Sequence, residues 1–141
     1  MMAFGTSIVL SIKPEYARKI FSGEKKYEFR RKLCTKDIDK LYLYVTSPVG
    51  RIMGEAEVVG KYFMEKQRLW ALTHELSGIA EDAFFGYFMG RSDAGAYELG
   101  KVVQYETPVN LEKIGIHFVP QSFVYVDTLK GPGGEARIGG E

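Results

Sequence analysis

Apolar residues recur along this chain with two different periods, and the switches between them mark its elements. Ser7 to Ile12 is a short β-branched and apolar run, the pattern of a buried strand. Pro14 follows directly, and Ala17, Ile20 and Phe21 then recur at helical spacing, with Glu15, Arg18 and Lys19 on the other side. Proline suits the first turn of a helix, where its missing N–H would have no partner. Gly23 suits the end, because glycine takes the left-handed conformation without steric cost. The spacing therefore predicts a helix over 14–22. After Gly23 the period becomes two, with Tyr27 and Phe29 on one face and Lys26, Glu28, Arg30 and Lys32 on the other.

Further along, Leu41 to Thr46 reads as a strand closed by the turn residues Ser47-Pro48-Val49-Gly50. Arg51 to Phe63 continues as a long strand with a bend or bulge near Gly54. Two short helices follow, one at 65–76 on Leu69, Leu72 and Leu76, the other at 80–89 on Phe84, Phe85 and Phe88. Strands return at 97–105 and 122–126, with Pro108 and Pro120 at their flanks. From Lys130 glycine dominates, so a folded domain is expected over 1–129 and a disordered tail over 130–141. Short strands with inserted helices predict an α+β fold, mainly β, closed as a small mixed β-barrel rather than built from alternating βαβ units.

Composition narrows the class. A chain of 141 residues, 45% hydrophobic and 26% charged, fits one globular domain that can bury a core without disulfide or metal. The single cysteine, Cys34, cannot form an intramolecular bridge and points to a reducing, cytoplasmic setting. No apolar run approaches a membrane span, and the first residues lack the layout of a signal peptide, so no membrane partner is expected. The net charge of +1 hides an uneven distribution. Between Lys13 and Lys32 eight basic residues face three acidic ones, whereas the rest of the chain has 11 basic and 15 acidic. Such a segment is an electrostatic footprint for phosphate, although a solvated surface explains the charge equally well.

Candidate chemistry concentrates in that segment. Alternation puts Lys26, Glu28 and Arg30 on one side, where an arginine fork matches phosphate and a carboxylate accepts from a base amine. The competing reading is a plain surface ion pair. Lys25, just past the glycine stop, is placed to reach over a cleft, and if buried would act as a base or nucleophile. Lys13 precedes a helix start, whose free N–H groups attract anions. Tyr27 and Tyr44 lie near these residues and are the candidates for stacking on a base. His74 and His117 have no ligand cluster near them, so no metal is expected, and Cys34 has no histidine neighbour to make it a nucleophile. Phosphate-loop, dinucleotide and serine-elbow motifs are missing, and no cofactor is expected.

The order Ser11-Ile12-Lys13-Pro14-Glu15-Tyr16-Ala17, then Ile20, then Gly23-Glu24-Lys25-Lys26-Tyr27-Glu28-Phe29-Arg30-Arg31 resembles the start of ASCH domains of the PUA-like superfamily. Tyr44 to Pro48, Gly54 to Val58, the Gly78 to Gly90 stretch and Pro120 to Phe123 resemble later landmarks, so the likeness spans about residues 7 to 127. The resemblance implies a PUA-type barrel with a cleft between barrel and helices, an RNA- or nucleotide-binding role, and a place in RNA metabolism or in the regulation of transcription or translation. It implies that Lys13, Lys25, Lys26, Glu28 and Arg30 grip the ligand, with Ser47, Gln121 and Ser122 lining the cleft. Some relatives hydrolyse acetylated cytidine and some cleave RNA. In the amidohydrolases the lysine matching Lys25 is catalytic, and this chain has Glu28 where they carry a threonine. An enzyme here would use Lys25 and Glu28 as its acid and base.

Overall fold

In the computed structural model, which describes residues 5–128, one six-stranded sheet carries three helices. The strands are β1 (Thr6–Ile12), β2 (Tyr27–Arg30), β3 (Lys40–Val45), β4 (Arg51–Glu65), β5 (Asp93–Val109) and β6 (Phe123–Asp127). The helices are α1 (Pro14–Ser22), α2 (Lys66–Thr73) and α3 (Glu81–Tyr87). The sheet order is β2-β5-β4-β3-β1-β6, antiparallel throughout except that β1 and β3 run parallel. A parallel pair needs a crossover, and the chain from 13 to 39, including α1 and β2, provides it.

Alternation along the strands divides the core. Ile8, Leu10 and Ile12 of β1 join Leu41, Leu43 and Val45 of β3 beneath Ala17 and Ile20 of α1. Val9, Tyr42 and Tyr44 point to the opposite face, where Ile52, Tyr105, Leu111 and Ile114 complete a second cluster. A third cluster packs Phe84 of α3, Phe88 just past its end and Leu69 of α2 against Phe29, Ala94 and Ala96. The helix over 14–22 is found as expected, with Pro14 in its first turn and Gly23 at φ +88° behind it. The long fourth strand is also found, and its register against β5 shifts between Ile52 and Gly54 and again on both sides of Val58.

Three expectations change. The sheet does not close into a barrel: β2 and β6 are its edges, and no ladder joins them among the described residues. Side chains span the gap instead. Arg30 of β2 donates to the Ser11 carbonyl of β1 at 2.7 Å, and Tyr125 of β6 accepts the Thr35 and Lys36 N–H groups. With four and five residues, β2 and β6 are short, and each is paired on one side only. The predicted leucine stripe on α2 is not a core face either. Leu69 is buried, while Leu72 is 55% and Leu76 45% exposed: the buried face of α2 runs through Leu69 and Thr73, which leaves Leu72 off it, and Leu76 lies past the helix in a tighter turn at His74–Leu76. The strand expected over 97–105 extends at both ends, since β4 offers a long partner down to Glu65. The expected tail at 130–141 lies outside the described residues.

Candidate functional site

Where β2 approaches the end of β1, a cleft of about 380 Å³ opens between the sheet, α1 and α3. Lys25, Glu28, Phe29 and Arg30 form one side, Ser11, Ile12, Lys13 and Tyr16 another, and Thr46, Ile79, Ala83, Tyr87 and Gln121 complete the wall. The cleft follows from the unclosed sheet, because the gap between β2 and β1 is its floor.

Lys25 is the most unusual group in it. The chain leaves α1 through Gly23 and crosses beneath the turn at 76–79, where the Lys25 and Lys26 N–H groups donate to Lys19 and Leu76 carbonyls. This buries the Lys25 side chain to 2% exposure, the only lysine so enclosed among the described residues. Its Nζ donates to the Ser77 carbonyl at 2.8 Å and lies 3.9 Å from a Glu28 carboxylate oxygen. It also sits 4.8 Å from the Phe29 ring centroid and 5.4 Å from that of Tyr16. Burial disfavours the charged amine and lowers its pKa from 10.5 to about 8, against the opposing pull of Glu28. Gly78 makes the enclosure possible, since at φ +69° it lies so close that a Cβ there would stand 2.5 Å from the Lys25 Cβ.

Glu28, also buried, divides its oxygens. One accepts from the Arg30 Nε at 3.0 Å, and the other faces Lys25. Arg30 is thereby fixed by two acceptors, Glu28 and the Ser11 carbonyl. Burial, with Glu15 and Glu28, raises the Tyr16 pKa, so this hydroxyl stays a neutral donor at the cleft wall. The arrangement holds one removable proton on Lys25, a carboxylate beside it, and a fixed guanidinium, all facing a partly apolar wall.

Of the residues singled out from sequence, Lys13, Lys25, Glu28, Arg30 and Gln121 line this cleft, whereas Lys26, Tyr44, Ser47 and Ser122 do not. Lys26 is exposed ahead of β2 and lines a separate depression with Lys101. Its place beside Glu28 is taken by Lys25, because β2 begins only at Tyr27. Tyr44 packs on the far face of the sheet, so it offers no ring to the cleft. Tyr27 packs against the third core cluster, its ring 6.5 Å from that of Phe29. Ser47 lies one residue past Thr46, which takes the wall position, and Ser122 contributes its backbone carbonyl to the Ser11 N–H. Ser11, Ile12, Tyr16, Phe29, Thr46, Ile79, Ala83 and Tyr87 were missed. They come from four separate stretches of chain, all inside the segments that resemble the family, but no periodic or charge signal marked any of them as facing the cleft. Among the described residues no three metal-ligating side chains gather, and no helix is long and apolar enough to cross a membrane.

A family model, a curated relative and solved structures point to one family. A sequence model of the ASCH domain matches residues 10–108. An ASCH domain-containing ribonuclease of Zymomonas mobilis is 30% identical over 107 residues, which is 75% of this chain and 72% of the relative. The crystal structure of ASCH from Zymomonas mobilis superposes with a TM-score of 0.78 at 29% identity, covering 85% of this chain and 87% of that one. A tyrosine-to-phenylalanine variant of the same protein gives 0.78 at 28%, covering 85% and 89%. With the family model matched over residues 10–108 and the fold superposing on that of a named member, the chain belongs to the ASCH domain family.

Proposed function

We propose that the cleft binds a nucleotide of single-stranded RNA. The observation that carries this reading is the convergence of Lys25, Glu28 and Arg30 on one wall of a cleft of about 380 Å³. That volume is at the lower end of small-molecule sites and suits a single nucleotide rather than a duplex. Arg30 and Lys13 supply the phosphate contacts, and Glu28 accepts from a base. The rings of Tyr16 and Tyr87 supply the stacking surface. The Zymomonas mobilis relative is named a ribonuclease, which supports RNA as the ligand class. A reducing cytoplasmic setting is consistent with Cys34, which is free and buried. Fluorescence anisotropy with a mixed RNA pool tests the reading. Arg30→Ala is expected to weaken binding about tenfold, and affinity is expected to fall steeply with salt. Undetectable or salt-independent association would refute it.

Catalysis is the second reading, favoured by the lowered pKa of Lys25. With a pKa of about 8, roughly one molecule in ten carries the neutral amine at pH 7. That amine can take the proton of a ribose 2′-hydroxyl. The 2′-oxygen then bonds to the adjacent phosphorus, and the 5′-oxygen departs with a proton from solvent. Arg30 and Lys13 balance the charge on the phosphate. Incubating wild type and Lys25→Ala with RNA and with acylated cytidines separates the outcomes. RNA cleavage that rises to a plateau as pH passes about 8, and is lost in the variant, is the expected result. Product from the cytidines instead would identify an amidohydrolase, and no product from either would leave binding alone.

A further inference from the structure

Two arginines beside the cleft are held in place and left without a counter-charge. Arg31 follows the last residue of β2, so its side chain departs on the side opposite Arg30. Its guanidinium lies 4.1 Å from the Tyr87 ring centroid, its Nε donates to the Tyr87 carbonyl at 3.0 Å, and its backbone N–H donates to the Tyr87 hydroxyl at 3.3 Å. Arg91 donates through Nη2 to the Arg31 carbonyl at 3.1 Å. Both side chains are exposed, and the three ion pairs among the described residues involve neither. Neither arginine lines the cleft, but Tyr87 does, so the pair stands on the outer side of that wall, joined to the cleft through Tyr87.

Tying β2 to α3 accounts for the Arg31 Nε and N–H, but not for the rest. Among the described residues the terminal nitrogens of Arg31 meet no acceptor, and a second exposed arginine adjoins its backbone. A guanidinium stacked on a ring and fixed at Nε is already oriented, so an anion binds its outer edge with little further ordering. We propose that Arg31 and Arg91 form a second phosphate subsite, so the ligand of this cleft is an RNA strand rather than a free nucleotide or nucleoside. The inference rests on the cleft reading above. One nucleotide enters the cleft, and its neighbour's phosphate crosses the mouth at Tyr87.

Anisotropy with a 2′-O-methylated random RNA hexamer pool, which cannot undergo 2′-hydroxyl cleavage, and competition by mixed nucleoside 3′-monophosphates test it. Arg91→Gln is expected to weaken hexamer binding about fivefold and to reduce the magnitude of its salt slope by about 0.7, while mononucleotide affinity stays within about twofold. Arg31→Gln should act alike, and Arg31→Lys, which keeps the charge but loses the fork and stack, should fall between. Equal losses for hexamer and mononucleotide would reduce Arg31 to a structural tie and overturn the subsite. Because Arg91 makes a single exposed bond, its variant keeps the test decisive if Arg31→Gln unfolds. A wild type that binds hexamer no more tightly than mononucleotide would overturn the subsite and leave the cleft reading standing. Binding of neither probe would end both.

Discussion

At the scale of single residues, the protein keeps a lysine where burial works against it. The folded chain gives up the Lys25 proton near pH 8, whereas the unfolded chain holds it to about 10.5. Between those values the unfolded state binds more protons, so this group makes stability rise with pH, and its full cost is present below pH 8. Lys25→Met is therefore expected to stabilise the fold by about 1 to 3 kcal/mol at pH 7, with the gain shrinking as pH approaches 10.5. Urea denaturation at several pH values measures this, and a gain that did not vary with pH would contradict it. Glu28→Gln has the opposite sign. It leaves Lys25 and Arg30 without their shared carboxylate, and a loss of about 3 kcal/mol is expected, together with a shift of the Lys25 titration to lower pH. Heteronuclear NMR of the lysine side chains reads that titration directly. The order Gly23, Lys25, Glu28 and Arg30 was legible in the sequence because all lie in one short stretch. The burial of Lys25 was not, since the turn that covers it comes some fifty residues later.

At the scale of elements, turn chemistry and periodicity placed α1, β1 and the bend in β4, because each is decided by neighbours along the chain. The leucine spacing does not mark the buried face of α2, because that face runs through Leu69 and Thr73 and only Leu76 lies past the helix end. The turn at Ser77 to Ile79 had no periodic signature, yet its Ser77 carbonyl holds Lys25 and its glycine makes room for the lysine stem. Gly78→Ala imposes both a left-handed backbone and a collision with Lys25, so a loss of about 2 kcal/mol is expected. RNA affinity should fall with it, since Lys25 must move. Unchanged affinity at full folding would show that the turn does not position the lysine.

For the whole molecule, the unclosed sheet governs both stability and access. β3 lies near the middle of the sheet, between β4 and β1, and all of its residues from Leu41 to Val45 are buried, so its amides should exchange slowest. Edge strand β6 should exchange faster, and a reversed order in hydrogen-exchange mass spectrometry would rule out this topology as the stable unit. Arg30 is the cross-piece over the gap, holding Glu28 and the Ser11 carbonyl at once. By itself the sequence determined the helices and strands whose signals are local, the mainly β class and the chemistry-bearing motif, because periodicity, proline and glycine act over a few residues. Only the tertiary structure decided that the sheet stays open, that Tyr44 faces away, and that Ser11, Thr46 and Tyr87 line one cleft with Lys25. Those outcomes depend on which distant strands pair and which sides of them are covered, and that choice is made by the burial of the whole chain.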